Sequence, residues 1–225
     1  MKRYVVVNQQ GDTFAHQHIE EGRVMHSANT GSEEPIVRII MSGFDSPLLA
    51  ALEYPGSNNG IRLFMLQTWQ TDVDKGNAQA CTTVKEVEAP SVSLEEKLGF
   101  FVSAALEVYK DRDFKKWARK WLSGEDRSAD SARTVYDELE KEREAMATLG
   151  DLAAWGESTA SDSEEMETHE AAEKLAFDVT KLVAMSTVEP DSEQVFEIID
   201  QLNREVKRLS KKIDLVKLAE EIHSA

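Results

Sequence analysis

The chain has 225 residues, 41% hydrophobic and 30% charged, with 42 acids against 26 bases and a formal charge of -16. That length buries a sizeable core and suits one large domain or two small ones. The charge repels phosphate backbones and attracts basic surfaces, while the lack of any run near the ~18 apolar residues of a membrane span excludes a hydropathy-defined span.

The first seven residues, MKRYVVV, carry a basic pair and only four apolar side chains before Asn8. They lack the apolar core of a secretory signal, so the expectation is a cytoplasmic chain. RYVVVNQ at Arg3–Gln9 is β-branched and ends at the turn pair Gly11-Asp12, after which TFAHQHI alternates, predicting a hairpin. PIVRIIM at Pro35–Met41 and IRLFMLQTW at Ile61–Trp69 are the strongest further strands, with a short helix from Ser46-Pro47 between them. ACTTVKEVEA supplies a last strand and contains Cys81, the lone cysteine, which has no internal disulfide partner. Residues 1–90 are thus expected to form a mainly antiparallel β module of five or six strands.

From Ser91 the period becomes helical. Ser93 and Glu96 form a capping box before Leu94, Leu98, Val102, Ala105, Leu106 and Tyr109, which predicts a helix to about Lys110. Asp113 is expected to cap a shorter helix, Phe114–Leu122, whose Phe114, Trp117 and Trp121 share a face, and Gly124 to end it. Asp126 or Ser128 then restarts the chain into a long helix with Ala132, Val135, Tyr136, Leu139, Met146 and Leu149 on its inner stripe. Residues 91–155 form this helical module. The two tryptophans are read first as the clamp beneath a helix corner and second as an aromatic contact for a partner.

The corner also carries a resemblance. WARKWLSGEDRSADSA, preceded by ALEVYKDRDF, resembles a segment of uncharacterised bacterial and phage proteins, some of them labelled immunity proteins, over about residues 93–135. No catalytic residue comes with that resemblance, which implies a noncatalytic, defence-related protein. This chain departs from it after Ser128, where Glu and Arg stand in place of alanine repeats.

An acidic, serine-rich linker at 156–163 leads into a predicted helical hairpin over 164–225. From Asp151 to Asp178 there are nine acids and one base, Lys174, so Glu164, Glu165, Glu167, Glu170 and Glu173 are candidate contacts for a basic protein. EPDSEQ interrupts the hairpin, and Asp191 or Ser192 caps its second arm. That arm carries Val195, Ile199, Leu202, Val206, Leu209, Ile213 and Val216 in 4-3-4-3 spacing, a three-heptad seam expected on one unbroken helix. The seam packs either on Glu164–Val188 of the same chain or on a second chain, making an oligomer or a subunit of a larger complex. Its polar side bears six bases between Arg204 and Lys217, of which Arg204, Lys207 and Lys211 are candidate contacts.

Chemistry finds little footing. His16 and His18 share one strand face and could begin a metal site, the feature on which a small metal-dependent enzyme would rest, yet only His26 is near in sequence. No phosphate loop, nucleophile elbow, His-Glu-x-x-His helix or CxxC pair is present. The reading is an α+β protein, an N-terminal mainly antiparallel β module followed by a C-terminal helical module ending in a helical hairpin. It has no cofactor and binds another protein through its surface.

Overall fold

The computed structural model describes residues 2–13, 18–19, 21–22, 43–55, 60–68, 82–153, 163–186 and 192–224. The chain is α+β, with a three-stranded antiparallel sheet near the N-terminus and a mostly helical remainder. It forms two compact units, one gathering Met1–Ser93 with the C-terminal Ala219–Ala225, the other Leu94–Leu218.

In the first unit β1 (Lys2–Val7), β2 (Arg62–Thr68) and β3 (Thr82–Val87) pair in the order β1-β2-β3. Residues 14–17 of the expected hairpin lie outside the described residues, and β1 pairs with β2 in a longer-range ladder in which Val6 lies opposite Leu63 and Val5 opposite Phe64. That register joins two apolar strands, so Val5, Val6, Val7, Leu63, Phe64 and Leu66 are all buried. The Gly11 turn forms, with φ at 91°, and among the described residues beyond it Asp12 and His18 make a bridge. The other edge of β1 meets Phe44, with Tyr4 and Phe44 exchanging two backbone hydrogen bonds of 2.8 Å. A short helix α1 (Pro47–Glu53) starts as expected, Ser46 accepting from the Leu49 N–H at 3.4 Å, and its Ala50 packs with Val6 and Leu63. The predicted strand at 35–41, as well as Cys81, His16, His26 and Trp69, lie outside the described residues.

The second unit opens with α2 (Leu94–Val108), directly after Ser93, as the capping signal predicts. The cap of α3 (Arg112–Leu122) is Asp111 rather than Asp113, its Oδ1 accepting from the N–H groups of Asp113 at 2.9 Å and Phe114 at 2.7 Å. Two residues earlier in the chain, Asp111 is placed to satisfy orphan donors that Asp113, already helical, cannot reach. α4 (Ala129–Ala153) follows Ser128, whose Oγ accepts from the Ser131 N–H at 3.3 Å. Ala132, Val135 and Leu139 are buried on its inner stripe, while the side chains of Met146 and Leu149 lie outside the described residues.

α5 (Ser163–Ser186) and α6 (Glu193–Leu209) form the predicted hairpin, α6 capped by Ser192. Residues 156–162 of the expected linker lie outside the described residues, and Ser163 is already helical. Leu175, Val179 and Leu182 on α5 are fully buried, as are Val195, Leu202 and Val206 on α6, and α5 packs against α6. The heptad residues from Val195 to Leu209 are therefore buried within the chain itself.

The unbroken last helix is not formed. After Leu209 the chain turns, the Ser210 and Lys212 N–H groups donating to Lys207 and Leu209 carbonyls at 3.3 and 2.8 Å. It restarts as α7 (Leu215–His223), where Asp214 Oδ1 accepts from the Lys217 N–H at 3.1 Å. Ser210 and Asp214 compete for backbone groups that a continuous helix would use, and periodicity alone does not register that competition. Ile213 thus sits in a turn and Val216 on a separate helix from Val195–Leu209.

Candidate functional site

The corner between α3 and α4 is a stop, a turn and a restart. Gly124 adopts φ of 76°, Arg127 Nε donates to the Trp121 carbonyl at 2.9 Å, and the Arg127 guanidinium lies 5.1 Å from the Trp121 ring centre. Its Nη1 also pairs with Glu95 on α2, so one arginine ties the turn to two helices. Beneath it Phe114, Trp117 and Trp121 are buried, with Phe114 and Trp117 rings 5.6 Å apart. At 5% and 3% exposure the two tryptophans lie inside the corner and offer little surface to a partner. Replacing Gly124 by alanine is expected to cost about 1 kcal/mol in a denaturant melt, because an L residue is strained at this φ.

A face of carboxylates lies at the other end of α3, where its N-terminus meets α4. Asp111, Asp113, Glu138 and Glu142, with one base, Lys141, line a depression of about 190 Å³ whose apolar lining is Phe114, Val135 and Leu139. Burial raises the Glu142 carboxyl above its ordinary value, and Asp111, Glu173, Glu138 and Asp113 push it further in the same direction. Burial likewise raises the Tyr109 phenol, helped by Asp111, Glu142 and Glu173. Glu173 therefore belongs to this face. Glu170, three residues earlier, lines a different groove, and the side chains of Glu164, Glu165 and Glu167 lie outside the described residues. Among the described residues, Asp111 at the cap of α3, Asp113 on α3 and Glu138 and Glu142 on α4 join Glu173 of α5 on this face. The spacing of Glu138 and Glu142, one turn apart on a solvated face, was the available signal.

The groove that takes Glu170 is basic. It has a volume of about 600 Å³ along α5, α6 and the turn after α6, and its charged lining is Glu170, Lys174, Glu205, Arg208, Lys211 and Lys212. Glu205, with 3% of its side chain exposed, receives Lys174 Nζ at 2.7 Å and Arg208 Nη1 at 3.2 Å. Of the predicted basic contacts, Lys211 lines this groove, Lys207 is exposed, and Arg204 is paired with Asp200 at 2.8 Å on its own helix. Asp178, one turn along α5 from Lys174, is buried to 7% exposure, and desolvation raises its carboxyl.

His18 Nδ1 lies 2.8 Å from Asp12 Oδ1. Among the described residues no three His, Cys, Asp or Glu side chains are placed to hold a metal ion, and no helix is long and apolar enough to cross a membrane. Fold and site thus define an α+β chain whose charged groups gather on helical faces of opposite sign. Comparisons with protein-family models, with curated proteins and with solved structures find no match.

Proposed function

We propose that this chain is a noncatalytic protein-binding factor that docks a basic protein surface on the acidic face built by Asp111, Asp113, Glu138, Glu142 and Glu173. The observation that carries this reading is the gathering of Asp111, Asp113, Glu138 and Glu142 around the apolar floor of Phe114, Val135 and Leu139. Like charges held together over an apolar floor are relieved by an incoming cation, so a lysine- or arginine-rich partner gains both charge complementarity and buried area. The resemblance of residues 93–135 supports an inhibitor or immunity role in bacterial or phage defence. A subunit docking through the heptad helix is less favoured, because Val195, Ile199, Leu202, Val206 and Leu209 are buried within the chain.

Capture from host extract with wild-type and E138K/E142K baits tests the proposal. Wild type is expected to retain a basic protein whose binding weakens with salt and falls at least about tenfold with the doubly reversed bait. His16→Ala and His18→Ala baits are expected to behave as wild type. Undiminished retention by E138K/E142K, or loss on replacing the histidines, would overturn the reading.

A further inference from the structure

We propose that the α5/α6 groove is a site for a compact anion carrying two or more phosphate groups. Its lining sets four bases, Lys174, Arg208, Lys211 and Lys212, against two acids, Glu170 and Glu205, an excess of positive charge in a chain of formal charge -16. Glu205 is drawn into the hairpin and offsets part of the charge of Lys174 and Arg208, so the excess at the opening rests most on Lys211 and Lys212. Burying a carboxylate is unfavourable before pairing, and an apolar residue at the same position would pack the hairpin without that cost. What Glu205 supplies is placement. It fixes an ammonium from α5 beside a guanidinium from α6, while their side chains remain 47% and 69% exposed.

Arg208 uses Nη1 for Glu205. A guanidinium carries five N–H donors, so the rest of the fork remains for a second oxyanion, and paired donors of this kind suit phosphate oxygens. Lys211 and Lys212 follow within one turn of chain and supply mobile point charges at the same opening. A volume of about 600 Å³ matches small-molecule sites rather than a continuous track. An extended nucleic acid would run out of the groove into the field of the acidic surface, which favours a short ligand. This site is independent of the acidic face and stands or falls without it.

The test is calorimetric titration of the whole chain with inorganic tripolyphosphate and, separately, with a nucleoside triphosphate, both free of divalent cations. Saturable one-to-one binding is expected, weakening as salt rises from about 50 to about 200 mM. K211Q/K212Q is expected to bind at least about tenfold more weakly, and R208Q likewise, with circular dichroism unchanged for the exposed lysine pair. Equal affinity for the two probes would confine recognition to phosphate, and tighter nucleoside triphosphate binding would extend it to the groove wall; both support the site. No saturable binding of either probe up to about 5 mM, or K211Q/K212Q binding as wild type, would overturn it.

Discussion

Leu202→Ala is expected to lower the unfolding free energy by about 2–5 kcal/mol, with a loss that does not change with protein concentration. Leu202 is fully buried at the centre of α6, with Ile199 and Val206 beside it on the seam and the apolar stripe of α5 across the hairpin. Truncation removes three carbons from a packed interior and leaves a void that two helices held by other layers close only in part. Concentration is the discriminating variable. A seam shared between two chains would lose stability on dilution and would make the mutational cost concentration-dependent, whereas an intrachain seam does neither. Urea melts over a hundredfold range of concentration, read by far-ultraviolet circular dichroism, decide the matter. A midpoint that falls on dilution of the wild type would contradict the hairpin described above.

Stability is also expected to rise as pH increases from about 8 toward 10. Lys97 is 3% exposed on α2, and desolvation lowers its ammonium from 10.5 to about 8. Between those values the unfolded chain holds the proton and the folded chain does not, so unfolding takes up a proton and becomes harder as protons grow scarce. The full interval is worth about 3 kcal/mol at about 1.4 kcal/mol for each unit of pH. The gain is cut short from above. Burial raises the phenols of Tyr109, Tyr54 and Tyr136 in the folded chain, so above about pH 10 the unfolded tyrosines ionise first and stability falls again. Lys97→Met keeps the length of the side chain without the charge. It is expected to flatten the rise between pH 8 and 10 and leave the decline above it, in denaturant midpoints taken across that range. A wild-type profile flat over the same interval would show that the amine is hydrated in the folded chain.

The helical half was the more legible in outline. Ser93, Gly124, Ser128 and Ser192 mark element ends because a cap or a left-handed turn is decided by one residue and its nearest neighbours. The break at Ser210–Asp214 escaped periodic reading because the apolar spacing continues through it, and the capping contacts that cause it are local and polar. Strand pairing escaped for the opposite reason. β1 meets β2 some 60 residues away, and no local signal ranks that partner above the nearer segment after Gly11.

The candidate site divides in the same manner. That acids crowd the region around α5 and that bases line the far side of α6 is visible in composition. That Glu173 joins Asp111, Asp113, Glu138 and Glu142 while Glu170 joins Lys174, Lys211 and Lys212 is not, since the two glutamates are three residues apart on one helix and face different neighbours. Charge, amphipathic period and the places where helices start are properties of the chain taken a few residues at a time, and the sequence by itself determined them. Which carboxylates repel one another, which one is carried into the hairpin to hold Lys174 and Arg208, and that the seam is closed within one chain depend on distances between remote segments. Only tertiary packing decided these, because Coulomb interaction and desolvation follow separation and burial in space rather than position along the chain.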